Sequence, residues 1–247
     1  MSGLILDTSF TDVTLPQGES LASAILALSG LSHWWQADAN HVVLDDGAIA
    51  QMTNRVADAG HLVQTTASKQ AALTEAALGN YAEATFTAAA VTAYTLSSSL
   101  PDMTAPFSWI AVARPGAWTG AGRGLAGKQD GGGSAVLLQG VEDTLRFKFG
   151  TVFAQLAAQD EAWNVAIAAY NGTHIRLRVN GVQSAAVEVA GEPPIGDFQV
   201  GTLDGNLQQP WDGGLSDLLV ANYDILQDTA AMSAIAEFVG QAYDLVA

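Results

Sequence analysis

The stretch from Ala162 to Ala190 constrains the fold of this chain more than any other. It reads AWNVAIAAYNGTHIRLRVNGVQSAAVEVA and contains two Asn-Gly pairs, Asn171-Gly172 and Asn180-Gly181, between apolar and alternating segments. Asn and Gly tolerate the positive φ that a tight turn needs, so Asn-Gly is the strongest short hairpin signal. The sequence therefore predicts a meander of three antiparallel strands within a larger β-sandwich.

The register of the meander follows from keeping its apolar side chains on one face. A two-residue loop at Asn180-Gly181 pairs Val179 with Val182. At the first Asn-Gly, a two-residue loop would place the apolar residues of the first strand beside two arginines, whereas a three-residue loop pairs Leu177 with Ile167 and avoids this. We therefore predict the three-residue loop. The predicted inward face contains Val165, Ile167, Ala169, Ile175, Leu177, Val179 and Val182, and the opposite face contains His174, Arg176 and Arg178.

Composition limits the classes of partner. The chain has 247 residues, 49% of them hydrophobic, which suits one large β domain or two small ones with a sizeable core. Its net charge of −16 arises from 25 acids against nine bases. Such a charge repels phosphate backbones and anionic membranes, so we expect no nucleic acid partner.

Other simple features are missing from the sequence. There is no cysteine, which rules out disulfides and thiolate metal sites. The N-terminus lacks a basic segment followed by an apolar run, so we expect no signal peptide. No apolar stretch is long enough to span a bilayer, so we expect no transmembrane segment and no membrane insertion.

Each end of the chain predicts a helix. Glu19 to Leu28 has apolar residues at helical spacing, and Gly30 follows as a stop signal. We predict that residues 1–30 form an arm and a short helix, which either docks on a partner or packs on its own domain, and that residues 31–247 form one domain. Near the other end, Asp228 or Thr229 can cap a closing helix. Its predicted apolar face contains Met232, Ile235, Ala236, Val239 and Tyr243.

Between the helices, many short apolar segments separated by turn residues predict an antiparallel sandwich. Phe107 to Ala113 is almost continuously apolar and is predicted to be a central strand, whereas residues 69–78 are predicted to be loose. The other predicted strands include Trp34-Trp35 and lie at Val42 to Leu44, Ile49 to Met52, Tyr81 to Thr87, Val91 to Leu96, Leu125 to Lys128, Ala135 to Gln139, Leu145 to Phe149, Val152 to Leu156, Phe198 to Thr202 and Leu215 to Asn222.

Four groups of residues, in order along the chain, resemble the concanavalin A-like, or LamG-like, jelly-roll domains of phage and bacterial surface proteins. They cover about residues 31–247, and the resemblance implies an all-β antiparallel sandwich with a short N-terminal arm or helix and a C-terminal helix. One departure is Asn164 after Trp163, where the family has paired histidines. The groups are Trp34 to Asp38 with Asp45-Asp46-Gly47, Phe107 to Pro115 with Gly127-Lys128, Trp163 to Val182, and Trp211-Asp212-Gly213 leading to Leu215 to Tyr223.

A glycine-rich segment resembles a phosphate-binding loop only in its spacing. Gly122 to Lys128, GRGLAGK, fits both G-x-G-x-x-G and G-x-x-x-x-G-K. Either pattern cradles phosphate only where it opens a helix. Gln129 stands where Ser or Thr would hold magnesium, and the glycines after Asp130 cannot propagate a helix. We predict a surface hairpin.

The sequence shows no catalytic apparatus. Enzymes of this sandwich fold that cut glycans resemble one another in carrying clustered acids on one strand, and such chemistry needs two carboxylates at a suitable separation. No Glu-x-Asp-x-x-Glu and no Gly-x-Ser-x-Gly pattern occurs, and Glu142-Asp143 and Asp160-Glu161 lie in predicted turns. We therefore predict that the protein is not an enzyme. His33, His41, His61 and His174 are scattered without zinc spacing.

Two tryptophans lie in predicted loops, where an indole can stack on a sugar ring. Trp211 matches a family position that usually packs, so Trp118 is the better candidate. Trp34, Trp35, Trp109 and Trp163 are predicted to be core. The candidate ligand-binding residues are Trp118, Arg123, Lys128, Asp130 and Trp211.

No cofactor is expected, with calcium as the one alternative. Loop acids and carbonyls can hold calcium without a contiguous motif. Asp204, Asn206 and Asp212 are the candidate ligands, although Asp and Asn in such a region are also ordinary turn residues.

These observations predict a non-enzymatic structural or decoration protein of a virion, in a capsid or a tail, with a lectin-like domain displayed for recognition of a host-surface glycan. The virion part of this prediction rests only on the kinds of protein in which such domains occur. We expect other virion proteins as partners through residues 1–30, a homo-oligomer, and synthesis in the host cytoplasm. The alternatives are a free carbohydrate-binding module or lectin, and a glycan hydrolase or lyase.

Overall fold

The computed structural model describes residues 17–79, 81–98, 103–117, 122–129, 135–190, 197–202 and 209–247. Within these ranges the chain forms two α-helices, α1 (Gln17–Leu26) and α2 (Thr229–Tyr243), and eighteen strands. The strands are β1 (Leu31–Gln36), β2 (Val42–Asp45), β3 (Ala48–Met52), β4 (Leu62–Val63), β5 (Ala71–Leu78), β6 (Tyr81–Phe86), β7 (Tyr94–Leu96), β8 (Phe107–Pro115), β9 (Arg123–Gln129), β10 (Ala135–Val141), β11 (Thr144–Phe149), β12 (Val152–Ala157), β13 (Asn164–Tyr170), β14 (His174–Val179), β15 (Val182–Gln183), β16 (Val187–Glu188), β17 (Gln199–Val200) and β18 (Gly213–Ala221).

The strands form two layers that face each other. The first sheet runs β3-β5-β6-β18-β8-β13-β14, with β1 also paired to β18. The second sheet runs β4-β7-β17-β9-β10-β11-β12. Strand β3 pairs with both β5 and β4, so it joins the layers into a nearly closed sandwich. Every ladder between these strands is antiparallel, which confirms the predicted fold class.

The central strands of the first sheet are buried on both faces. Strand β8 pairs with β13 on one side and with β18 on the other. Its Trp109 and Ala111 face the core between the sheets, while Ile110 and Val112 face the opposite way and are buried as well. A strand covered on both sides reads as a continuous apolar segment, which is why Phe107 to Ala113 was recognisable as a central strand.

The two helices cover the outer face of the first sheet. Leu21 and Ile25 of α1 pack in the same apolar cluster as Phe238 and Val239 of α2. This cluster also contains Trp34, whose ring meets that of Phe238 edge-on with centroids 5.5 Å apart. No helix in the described ranges has the length and apolar character needed to cross a bilayer.

The closing helix begins where the sequence predicted. Asp228 caps it, its carboxylate accepting hydrogen bonds from the backbone N–H groups of Ala230 and Ala231 at 3.0 Å. The predicted apolar face is right at Ile235, Val239 and Tyr243 and wrong at Ala236, which is exposed. Phe238, which lies on the buried face, was missed.

The first turn of the meander differs from the prediction. The Asn171 N–H donates to the carbonyl oxygen of His174 at 3.1 Å, and Gly172 has a φ of +99°, so the loop consists of two residues, 172 and 173. Leu177 therefore pairs with Ala168 and not with Ile167. The second turn is as predicted, with Val179 opposite Val182.

This register puts Val165 and Ile167 on the same face as Arg176 and Arg178, the arrangement that the sequence argument rejected. The rejection assumed that this face meets solvent. In the structure α2 and its neighbours cover it, so apolar residues are stable on both faces of β13. Val182, predicted to face inward, is 62% exposed.

Two other segments differ from the prediction. Residues predicted to be loose form β5, an alanine-rich strand paired with β6 and β3. Small residues give little strand signal, and the ladder with β6 shifts near Ala76, whose φ is +53°. Val91, predicted to begin a strand, adopts a φ of +54°, and β7 begins at Tyr94.

A buried carboxylate ties the first sheet to α2. Asp217 on β18 accepts a hydrogen bond from Trp34 Nε1 at 2.7 Å and another from the Tyr243 hydroxyl. Burial raises the pKa of Asp217 to about 6. On the paired strand, burial lowers the pKa of His33 to about 4.

These two groups affect stability in opposite directions over the same pH range. Between about pH 4 and 6, folded Asp217 keeps a proton that the unfolded chain has released, so its contribution to the free energy of unfolding falls as pH rises. Folded His33 stays neutral in this range while the unfolded imidazole binds a proton, so its contribution rises with pH.

The variant Asp217→Asn removes the first effect and keeps the second. Relative to the wild type, we expect its free energy of unfolding to gain up to about 3 kcal/mol between pH 4 and 6.5, from a pKa difference of about two units. Urea denaturation followed by tryptophan fluorescence at several pH values measures this. The same pH dependence in both proteins would contradict the assignment.

Candidate binding face

The two outer faces of the sandwich differ in what covers them. The helices cover the first sheet, whereas no helix of the described residues packs on the second. The outward side chains of β10, β11 and β12 alternate with Leu138, Phe147 and Ala154, which belong to the core between the sheets. We call this outer surface the open face. Its principal side chains are Gln139, Arg146, Lys148, Phe153 and Gln155.

Cross-strand register places these side chains side by side. Lys148 lies opposite Phe153, and Arg146 lies between Gln155 on β12 and Gln139 on β10. Opposite residues in antiparallel strands have Cβ atoms about 5 Å apart, so neighbouring side chains can contact one ligand together. The open face therefore combines an aromatic ring, two cations and two amides within three adjacent strands.

Phe153 is an apolar side chain at an outward position. It is 45% exposed, and the guanidinium carbon of Arg146 lies 5.1 Å from the centre of its ring. Exposed cation–π contacts contribute about 0.5–1 kcal/mol, enough to bias how the two groups are oriented. The ring and the cation form one joint surface.

Glycine shapes the open face on β9. Gly127 lies opposite Leu137, and a Cβ at this position would approach the Leu137 Cδ2 atom to 2.5 Å and the Val136 carbonyl oxygen to 2.4 Å. Only glycine fits, because the backbone of Val136 and Leu137, together with the Leu137 side chain, fills the space that a Cβ would need. The glycine-rich segment thus lies within β9, which confirms the predicted strand at Leu125 to Lys128. The predicted surface position is wrong, because residues 124–127 are buried.

The structure does not bring two of the predicted ligand residues together. Arg123 and Lys128 lie five residues apart near opposite ends of β9, a separation of about 17 Å along an extended strand. Arg123 donates a hydrogen bond to the Pro210 carbonyl oxygen at 3.2 Å. Trp118, Asp130, Asp204 and Asn206 lie outside the described residues.

Trp211 packs in the core. It is 1% exposed and belongs to the cluster between the sheets, so its ring offers no surface for a sugar. The prediction that Trp211 stacks on a sugar is therefore wrong, and this residue packs in the core. Trp34, Trp35 and Trp109 are fully buried, as predicted. Trp163, also predicted to be core, is half-buried beside the Arg114 guanidinium.

Asp212, a calcium candidate, is engaged in local hydrogen bonds. Its Oδ1 accepts a hydrogen bond from the Ala88 N–H at 3.1 Å, and its carbonyl oxygen accepts one from the Gly116 N–H at 2.6 Å. Among the described residues, no group of three His, Cys, Asp or Glu side chains is arranged to hold a metal ion.

The open face was not predicted from the sequence, because the candidate ligand residues were chosen mainly from predicted loops and from the glycine-rich segment. The sequence of β12 nevertheless contains a signal. Phe153 shares the alternate, outward-facing positions of this strand with Gln155 and Ala157. In a strand with one buried face, the outward positions are usually polar, so an aromatic residue at such a position indicates a candidate binding surface. Arg146 and Lys148 alternate with buried residues in the same way on β11.

The fold is similar to domains of known structure. Domain 4 of AbnA, a GH43 extracellular arabinanase from Geobacillus stearothermophilus solved in complex with arabinotriose, matches with a TM-score of 0.59 and 13% identity, over 83% of this chain and 98% of that domain. Trypanosoma rangeli sialidase in complex with sialic acid matches with a TM-score of 0.55 and 10% identity, over 91% of this chain and 37% of the sialidase.

A third similar structure is the binding domain of botulinum neurotoxin serotype D, with a TM-score of 0.55 and 10% identity, over 91% of this chain and 52% of that domain. The chain thus spans nearly all of the arabinanase domain and much less of the other two. At these identities the likeness concerns the fold, and it supports the β-sandwich that the sequence resemblance implied. No protein-family model and no curated protein matches the chain.

The difference in burial between Trp211 and Phe153 predicts different losses of stability when each side chain is truncated. Because Trp211 is buried, we expect Trp211→Ala to lower the free energy of unfolding by about 3–5 kcal/mol. Because Phe153 is exposed, Phe153→Ala should cost less than about 1 kcal/mol. Urea denaturation of both variants tests this, and a small loss in Trp211→Ala would contradict the core assignment.

Proposed function

We propose that the protein is a non-catalytic carbohydrate-binding domain whose glycan ligand lies on the open face. The observation that carries this proposal is the exposed ring of Phe153 among the polar side chains of β10, β11 and β12. An aromatic face is apolar and flat, and a sugar ring can stack on it through its C–H groups.

The neighbours of the ring supply the other half of sugar recognition. Gln139 and Gln155 each carry a carbonyl acceptor and two N–H donors, which suit hydroxyl groups. Three adjacent strands present these groups from a rigid sheet. A preorganised surface loses little conformational entropy when a ligand binds.

The similar structures support a carbohydrate-binding role, but they do not identify the ligand of this chain. The arabinanase domain of similar fold was solved with arabinotriose, so a sandwich of this shape can hold a short glycan in that protein. The sialidase was solved with sialic acid. A shared fold does not imply a shared site, so the open face itself is the basis of the proposal.

The absence of catalysis is part of the proposal. Glycoside hydrolysis requires two carboxyl groups on either side of the scissile bond. The outward positions of β10, β11 and β12, all of them described, carry no Asp or Glu. Elsewhere, Glu83 is paired with Arg114 at 2.6 Å, and Asp217 is buried beneath α2.

The variant Phe153→Ala tests the proposal. We expect its affinity for a bound polysaccharide to fall about tenfold, which corresponds to about 1.4 kcal/mol of lost stacking. A polysaccharide array identifies a ligand, and titration calorimetry then measures the affinity.

The matched control is Val182→Ala, which removes an exposed apolar side chain on the first sheet. Its affinity should equal that of the wild type. Unchanged binding by Phe153→Ala, or an equal loss in the control, would rule out the open face as the site.

The virion role predicted from the sequence is a separate proposal, and the similar structures lend it no support. Leu21 and Ile25 of α1 are buried against the chain's own sheet, which favours packing of this helix on its own domain over docking on a partner. Purified particles with and without the protein test this role. Failure of the protein to co-purify with particles would end it, and sedimentation analysis tests the expected homo-oligomer.

A further inference from the structure

The basic residues of this acidic chain fall into two groups. Most of those outside the open face have partners in the described residues. Arg114 and Arg176 form ion pairs with Glu83 and Asp224. Among the others, Arg178 donates to the Ala247 carbonyl oxygen, Arg55 contacts Gln36 and the Trp34 ring, and Arg123 donates to the Pro210 carbonyl oxygen.

Arg146 and Lys148 differ from these residues. Within the described part of the chain, neither forms an ion pair or a hydrogen bond, and Arg146 contacts the Phe153 ring. The Nε atom of Arg146 is buried and has no hydrogen-bond partner there. The Nε atom of the ion-paired Arg176 is in the same state, so the feature that distinguishes Arg146 is that its guanidinium has no acidic partner there.

Composition makes this pair of free cations unusual. With 25 acids against nine bases, acidic partners are abundant along the chain. Yet the outward positions of β10, β11 and β12 hold two cations and no acid. A local excess of positive charge therefore coincides with the exposed ring, on a protein whose net charge is −16.

We propose that the ligand of the open face is an anionic glycan, whose carboxylate or sulfate groups bind Arg146 and Lys148 while a sugar ring stacks on Phe153. This inference rests on the proposed function. The two cations are separated by one residue on β11, about 7 Å along the strand, so they can bind successive anionic groups of one chain.

The two side chains recognise an oxyanion in different ways. The guanidinium of Arg146 donates two parallel hydrogen bonds to a carboxylate or sulfate, and the ammonium of Lys148 acts as a point charge. The stacked ring holds the guanidinium near the sugar. A uronic acid and a sulfated sugar share this oxyanion chemistry, and experiment separates them.

The overall negative charge is compatible with this ligand. At physiological ionic strength the Debye length is about 8 Å, so distant acids are screened and the local cations dominate the interaction. The same net charge opposes the long, uniformly charged backbone of a nucleic acid. We therefore favour a glycan in which anionic groups are attached to stacking sugar rings.

The test compares each acidic polysaccharide with its neutral counterpart. Polygalacturonate is paired with its carboxyl-reduced form, and chondroitin sulfate with its desulfated, carboxyl-reduced form. We expect binding to at least one acidic member to be at least tenfold tighter than to its counterpart. A preference in the first pair indicates carboxylate recognition. A preference confined to the second pair indicates sulfate if unsulfated chondroitin, which keeps its carboxylates, binds as weakly as the neutral polymer.

Variants connect this preference to the two cations. Arg146→Gln and Lys148→Gln should each lower the affinity for the acidic polymer about tenfold and the affinity for the neutral polymer by a much smaller factor. Lys69→Gln is the matched control, since it removes one positive charge from a 3-10 turn elsewhere, and it should bind like the wild type. Urea denaturation of each variant confirms that it is folded.

The outcomes separate this inference from the proposed function. Equal affinity for acidic and neutral polymers, with loss of both in Phe153→Ala, overturns the anionic ligand and leaves the carbohydrate-binding role. Binding to no polysaccharide of either pair or of the array overturns both. Equal affinity for a single-stranded oligonucleotide shows unspecific attraction of polyanions and also overturns the inference.

Discussion

The first sheet depends on a cover for its outer face. Strands β8, β13 and β18 carry apolar side chains on both sides, and only one side meets the second sheet. Without α1 and α2, Ile110, Ile167 and Leu219 would lie in water, at a cost of about 1.5–3 kcal/mol for each large side chain. The stability of the first sheet thus depends on the packing of the two helices against it.

Polar contacts fix the position of this cover. Asp217 is buried between the sheet and α2 and joins Trp34 to Tyr243 by hydrogen bonds. At the other edge of the sheet, Arg176 is paired with Asp224, just before α2 begins. Non-directional apolar contacts would let a helix slide, whereas buried polar groups are stable only when they are paired.

This arrangement makes the two outer faces of the sandwich unequal. The covered face cannot receive a ligand unless the helices leave, while the described part of the second sheet has no such cover. The exposed Phe153 ring, the two amides, and the two cations that have no acidic partner among the described residues lie on the open face. Under the proposed function, this asymmetry favours the open face as the ligand site, because the helices cover the outer face of the other sheet.

Much of the fold could be predicted from local patterns, because turn chemistry and strand alternation are local properties. Asn180-Gly181 set its hairpin register correctly. The other Asn-Gly did not, because the rule that places apolar residues on one face fails when both faces are buried. The alanine-rich β5 was missed because small side chains carry little pattern.

The candidate site could be predicted less well. Trp211 is an aromatic residue in a loop-like sequence, yet long-range packing buries it. The open face is assembled from three strands, and whether Arg146 has a partner depends on residues distant in sequence. The outward position of Phe153 and the alternation of Arg146 and Lys148 with buried residues were visible in the sequence.

We propose that the ligand binds on the open face of the second sheet and not on the helix-covered face of the first. Backbone chemical shifts, measured by NMR during titration with a bound polysaccharide, test it most directly. The account predicts that the largest changes occur in β10, β11 and β12. Changes concentrated in α1, α2 or the central strands of the first sheet would contradict it.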